Sequence, residues 1–456
     1  MNTTYETVGL AVPQILLPAK DIDLHSWSVI AVDQYTSQPE YWQQVALHTG
    51  DNPSTLHLVL PEVYLNSQGN DKEINQINQN MNTYLSAGIL RKTSPGFVLI
   101  DRSTPINPSR KGLLVALDLE QYDFSAASQS LIRATEGTVL DRLPPRVKIR
   151  QDAPLEVPHI LILIDDPQKT VIEPLFDKTA DFEKIYDFDL MQGGGHITGW
   201  HIQQLSVLDA VANALAHLAE RDLFQKKYNT DKNKGTLLYA AGDGNHSLAS
   251  AKTHWENIKQ TAKASDLATH PARYALVELV NIHDEGVIFE PIHRVVFNVD
   301  TDEFLADIAK EGVEVLQFDH VKALQKEKKR LEGSIKTLSE DAPAMQFIPF
   351  LTYTGHGMLV FRTPTHTLPV GSLQKLLDKL AKKHNNMEID YIHGKDVVSE
   401  LASKKDNIGF YLPPMNKNDL FRTIIHDGPL PRKTFSMGEA EEKRYYLESR
   451  IIKPLP

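Results

Sequence analysis

The segment GDGNHSLASAK, residues Gly242–Lys252, concentrates chemistry-bearing residues between two regular patterns. The apolar run Thr236–Ala241 before it reads as a strand. After it, Leu248, Ala251, Trp255, Ile258 and Ala262 recur every three or four residues, which predicts a helix. Gly242 and Gly244 permit positive φ and close backbone approach. A helix that starts near His246 turns unpaired N–H groups and the positive end of its dipole toward the turn, a geometry that suits a phosphate. Asp243 could hold a divalent metal that bridges phosphates, and His246 could donate a hydrogen bond or act as acid or base. The pattern is neither GxxxxGK[ST] nor GxGxxG. The same residues also suit a tight turn in which Asp and Asn cap the helix.

A second constellation, Glu136, Asp141, Arg142, Arg146 and Arg150, lies in RATEGTVLDRLPPRVKIR. A glutamate beside a substrate hydroxyl can serve as general base, and arginines clamp carboxylate or phosphate bidentately. Ordinary surface ion pairs are the competing reading. Near the C-terminus, LPRKTFSMGEA offers Lys433 and Thr434, a point charge and a hydroxyl donor. The following EAEEKRYYLESR predicts a last, charged helix started by Glu439 and Glu442. PIHR supplies His293 and Arg294, and Asp33 ends the apolar run of VIAVDQ, where αβ sheets often place ligands. The glycines of DLMQGGGHITGW, beside His196, read as a flexible connector.

The elements that must position these residues alternate between strand and helix patterns. Trp27–Val32, Thr55–Leu60, Phe97–Asp101, Leu113–Leu119 and His159–Ile164 have the length and apolar character of strands. Ser37 with Glu40 predicts a capped helix start, and LSVLDAVANALAHLAERDLF has strong helical periodicity. Thr236–Ala241, the following helix and Tyr274–Ile282 suit a right-handed βαβ unit or a piece of a mixed sheet. Helix and strand patterns alternate again through residues 301–412. The expected fold class is α/β in the mixed α+β sense, divided into 1–150, 151–300 and 301–456.

Composition narrows the chemistry. The 456-residue chain has no cysteine, so thiol nucleophiles, disulfides and iron–sulfur clusters are excluded. Its 48 basic and 59 acidic residues leave a net charge of −11, a poor footprint for a nucleic-acid partner. No apolar run approaches the roughly 20 residues of a membrane helix, so no membrane partner is expected. The N-terminus lacks a basic, cleavable signal pattern, which makes the cytoplasm the expected compartment. Its 18 histidines form no HExxH pair.

Four separated segments, AAGDGNHSLASAK, IRATEGTVLDRLPPRVKIR, PIHRVVF and LPRKTFSMGEAEEKRYYLE, together resemble the DUF1015 family of uncharacterised bacterial and archaeal proteins. In relatives the first segment usually reads DGHHR, which is similar to the phosphate-binding turn of ParB-like nucleotide-binding proteins and free serine kinases. Asp243, Gly244 and His246 match that motif, Asn245 replaces its first histidine, and Ser247 stands where its arginine lies. Glu136 and Arg142 match the family's E-T and D-R positions, and Lys433 and Thr434 match P-K-S-T-F-F. The resemblance implies a ParB-like nucleotide-binding core with a mixed sheet and a second αβ lobe. It further implies a magnesium-dependent kinase that moves a phosphoryl group from ATP or ADP to a small hydroxyl such as that of free serine. In that reading Asp243 holds the metal or activates the hydroxyl, and Gly242, Gly244, Asn245, His246 and Ser247 bind phosphate. Glu136 is the base, and Arg142, Lys433 and Thr434 stabilise charge, with His293, Arg294 and Asp33 as further candidates. A nucleotide-dependent switch without phosphotransfer, and a hydrolase of phosphorylated metabolites, are the alternatives.

Overall fold

The computed structural model describes residues 3–36, 38–65, 70–335, 345–431 and 433–454. The chain forms two compact units, Met1–Ile288 with Met437–Pro456, and Phe289–Ser436. Residues on both sides of position 150 contribute strands to one sheet, so the boundary expected there falls inside the first unit. The fold is mixed α/β.

The first unit is built on a mixed sheet whose main strands are β1 (Phe97–Ser103), β2 (Arg110–Asp118), β3 (Tyr122–Asp123), β4 (Ile132–Ala134), β5 (Leu161–Ile164), β6 (Glu183–Asp189), β7 (His196–Ile202), β8 (Tyr239–Asp243) and β9 (Tyr274–Asn281). They lie in the order β6-β7-β1-β2-β9-β5-β8-β4-β3. Alternation along β1 and β2 assigns the faces. Leu99, Leu113 and Val115 pack with Leu248, Ala251 and Trp255 of one helix and Leu208, Val211 and Leu215 of another. Val98, Ile100 and Leu114 pack in a second core with Trp27, Trp42, Tyr445 and Tyr446. Both faces are therefore covered, which suits the nearly continuous apolar runs of the central strands.

Strands β8 and β9 flank the Gly242–Lys252 segment and its helix in sequence, but they are not neighbours. Strand β5 lies between them, antiparallel to β8 and parallel to β9. The mixed-sheet alternative therefore holds in place of a βαβ crossover. Of two other expected strands, Thr55–Leu60 is mostly a turn, whereas Trp27–Val32 gives only Trp27 to a turn and then runs extended, with Ile30 bridged antiparallel to Tyr445. Asp23 accepts the backbone N–H groups of His25 and Ser26 and starts a single helical turn, Leu24–Trp27. Ser54 accepts the Leu56 N–H and starts a 3-10 turn, Thr55–Leu58. A side-chain acceptor at the start of a short apolar run favours the turn over the strand. Ser37 lies outside the described residues; the helix Pro39–Thr49 starts after Gln38 without a side-chain cap. The glycines beside His196 form the β6–β7 hairpin turn, closed by Leu190 N–H to Gly195 O at 2.7 Å.

The expected C-terminal helix is absent. Glu439 and Glu442 do form a capping box, but it closes one 3-10 turn, Ala440–Glu442, after which the chain runs extended and buried. Arg444 is ion-paired with Glu278, and its Nη2 lies 2.6 Å from Glu448. Tyr186 donates to the same Glu448 at 2.5 Å. Arg444 and Glu448 stand at helical spacing, but Arg444–Glu278 and Tyr186–Glu448 join distant parts of the chain, and these long-range partners outweigh local helix preference.

The second unit has an antiparallel six-stranded sheet in the order Glu314–Phe318, Gly355–Phe361, Gln346–Thr352, Ile408–Phe410, His293–Phe297 and Glu388–Ile392. Its helices include Thr301–Lys310 and Pro369–Leu380, the latter burying Leu373, Leu376, Leu377 and Leu380 on one stripe.

Candidate functional site

The site grows from the end of β8. Leu161 pairs with Asp243 while Ile162 pairs with Ala241, so Gly242 is the extra residue of a bulge. Bulges re-aim the residue that follows, here Asp243. A Cβ on Gly242 would stand 2.9 Å from Leu163 Cγ and Met437 Cε. Gly244 has φ +73°, a conformation that disfavours every side chain, and opens a 17-residue helix, Asn245–Thr261, with no side-chain cap. The first-turn N–H groups and the positive helix end therefore face the turn. Replacing Gly244 with Ala adds left-handed strain and a Cβ at 3.1 Å from Ile160 Cα. Urea unfolding of Gly244→Ala should register a loss of about 1–3 kcal/mol.

Charged groups converge on this turn. Lys443 Nζ lies 3.1 Å from Asp243 Oδ2, delivered by the extended C-terminal segment. Asp33 Oδ2 lies 3.9 Å from His159 Nε2. Burial pushes the Asp33 carboxyl up, but the charge His159 carries when protonated, together with Gln34 and Lys443, outweighs burial and holds it below the usual carboxylate range. Ser247 Oγ is 3.0 Å from His159 Nε2. Arg146 is ion-paired with Glu62 and also donates to Arg142 O at 2.8 Å. Beside these groups opens a cleft of about 150 Å3, with Leu58, Leu60, Met81, Ile149 and Leu276 on its walls. Glu62, Arg146, His159, Ser247 and Tyr446 supply its polar lining.

The remaining sequence candidates divide into three groups. Asn245 is engaged with Thr135, accepting its N–H at 3.3 Å and donating to its hydroxyl at 3.2 Å. That clamp ties the half-buried Glu136, next in the chain, to the start of the helix. His246 Nε2 faces the Val139 N–H at 3.4 Å. Burial, reinforced by Arg146 and Arg142, pushes the His246 imidazole down to about 4, so it is neutral at pH 7. Arg142 itself is exposed at the end of a 3-10 turn, Leu140–Arg142. Lys433, Thr434, His293 and Arg294 belong to the second unit. There Thr434 Oγ1 donates to Pro431 O at 2.6 Å, and Lys433 is exposed with φ +58°. His293 Nδ1 accepts the Leu412 N–H at 3.0 Å, while buried Arg294 donates to Gln374 and stacks 4.5 Å from the centre of Tyr391.

The depressed His246 basicity has a consequence for stability. A histidine that is neutral when folded takes up its proton on unfolding, so the unfolded chain binds more protons between about pH 6.5 and pH 4. His254, also held near 4, adds to this. Stability should therefore be fully present above pH 6.5 and fall as pH drops toward 4. Thermal unfolding across that range checks this, and His246→Asn should flatten the dependence.

Sequence reasoning overlooked His159, Lys443 and Tyr446. His159 offered a usable signal, a polar residue opening the buried run ILILI. The sequence profile of the family described as "Protein of unknown function (DUF1015)" matches residues 16–422. The chain belongs to the DUF1015 family. No curated protein matches it. Among solved structures, a conserved hypothetical protein from Pyrococcus furiosus is similar to this DUF1015 protein at 13% identity and TM-score 0.34, covering 75% of this chain and 95% of its own. A free serine kinase in complex with AMP has 12% identity and TM-score 0.36, covering 75% and 91% respectively. SbnI with C-terminal truncation from Staphylococcus aureus has 10% identity and TM-score 0.29, covering 71% and 82%. At these levels the likeness assigns no activity to the DUF1015 chain.

Proposed function

We propose that the first unit binds a nucleotide, ATP or ADP, by its phosphates and transfers a phosphoryl group to a small hydroxyl compound such as free serine. The carrying observation is the uncapped start of a 17-residue helix behind a bulged glycine turn, with Lys443 3.1 Å from Asp243 beside it. The N–H groups of Asn245, His246 and Ser247, together with the Lys443 ammonium, would receive the phosphates, and the apolar cleft offers walls for the base. The Asp33 carboxylate, held ionised near Lys443 and His159, is placed to take the proton of the attacking hydroxyl. As the acceptor oxygen bonds to phosphorus, the bond to the departing nucleotide oxygen breaks, and the backbone donors and Lys443 stabilise the charge that spreads over the phosphoryl oxygens.

Magnesium fits this site through the nucleotide. Among the described residues no three His, Asp or Glu side chains group closely enough to hold a metal alone. Magnesium commonly takes one or two carboxylates and fills its shell with phosphate oxygens and water, a donor set to which Asp243 can contribute its carboxylate. When bound it would neutralise phosphate charge. Incubation with ATP, magnesium and free serine, read by 31P NMR, should give phosphoserine. Nucleotide binding without product from serine or any other hydroxyl compound in a panel would remove phosphotransfer from the reading.

A further inference from the structure

We propose that His159 is a fixed hydrogen-bond donor to the bound phosphate, its Nε2–H held toward the site by a chain of hydrogen bonds that begins at the Val32 amide. The proposal rests on the nucleotide reading above. The Val32 N–H donates to the Tyr446 hydroxyl at 3.2 Å, and that hydroxyl lies 3.0 Å from His159 Nδ1. Burial raises the Tyr446 phenol well above its ordinary range, so it keeps its proton. Because the hydroxyl oxygen already accepts from Val32, its hydrogen is directed at His159 Nδ1, which becomes an acceptor. In a neutral imidazole an accepting Nδ1 places the proton on Nε2.

That tautomer changes the meaning of the Ser247–His159 contact. At 3.0 Å the two atoms have the spacing of a nucleophile and its base. An Nε2 that already carries hydrogen cannot take one from Ser247. The imidazole therefore donates, Ser247 Oγ accepts, and the serine hydrogen is left for another acceptor at the helix start. A phosphate arriving there displaces Ser247 Oγ as the acceptor of the single His159 Nε2–H and leaves the serine to donate its own O–H, with Asp33 3.9 Å from that same nitrogen. The His159 side chain is only 10% exposed, so its donor works in a largely dry setting where such bonds are strongest.

Two readouts test the assignment. In 15N-histidine-labelled protein, long-range 1H–15N NMR should report His159 with hydrogen on Nε2 and a bare Nδ1, the peaks being assigned by their loss in His159→Gln. Hydrogen on Nδ1 would overturn the proposal, whatever the variants do. Calorimetric titration with inorganic pyrophosphate should then give His159→Gln, which keeps an N–H near the Nε2 position, within about threefold of wild type. His159→Phe should bind about tenfold or more weakly, as expected for one hydrogen bond to a charged group. Equal affinities for wild type and His159→Phe would overturn the donor role while leaving the nucleotide reading standing. A wild-type protein that binds no pyrophosphate would remove both together.

Discussion

Replacing Lys443 with Met is expected to weaken ATP binding roughly 30- to 150-fold, the equivalent of about 2–3 kcal/mol for a charge-assisted contact. Lys443 is 9% exposed at its side chain and faces Asp243 at 3.1 Å, with Asp33 also within its field. Without the ammonium, phosphates would approach two carboxylates with only backbone dipoles in opposition. Calorimetric titration measures the effect. Loss of the cation also leaves Asp243 without its ion-pair partner, so Lys443→Met alone should cost stability. Adding Asp243→Asn should recover that stability, yet affinity should stay well below wild type. Recovery of both would mean that Lys443 acts only by neutralising Asp243.

The largest expected loss of stability comes from the next residue. Arg444 is 3% exposed at its side chain and is paired with Glu278 and Glu448, themselves 1% and 0% exposed. Its Nε also donates to Pro158 O at 3.2 Å, which braces the segment leading into His159. Arg444→Met would leave two buried carboxylates uncompensated, a change that typically costs about 3–5 kcal/mol. Urea unfolding should show a lower midpoint with a similar slope. The triple replacement Arg444→Met, Glu278→Gln and Glu448→Gln should regain much of the loss, since the penalty lies in unpaired charge. A single variant as stable as wild type would mean that the pair does not hold the C-terminal segment in place.

These two residues also mark where the sequence stopped being readable. The turn and helix at Gly242–Lys252 were legible because glycine spacing and the Leu248, Ala251 and Trp255 stripe are local signals. So were the β1 and β2 strands and the helix Leu205–Leu218. The extended course of Lys443–Ser449 was not, because its cause is long-range: Arg444 meets a glutamate 166 positions earlier in the chain. Read locally, EAEEKRYYLESR favours a helix, and the capping box does form, but only for one turn. Asp33 was noticed from its place at the end of an apolar run. Its neighbour His159 was read only as the first residue of a strand, and no local pattern links the two. Trp27–Val32 was legible in part: Asp23, whose carboxylate accepts two N–H groups, draws Trp27 into a turn, while the residues after it run extended and bridge Tyr445 through Ile30.

The central claim is that nucleotide phosphates seat at the start of the Asn245–Thr261 helix beside Lys443. Hydrogen–deuterium exchange of the full chain, with and without ATP and magnesium, tests it most directly, because protection is read segment by segment. Exchange should slow in peptides covering residues 239–252 and 440–447, and the slowing should disappear in Lys443→Met. Unchanged exchange in both segments at saturating nucleotide, or protection confined to other parts of the chain, would contradict it.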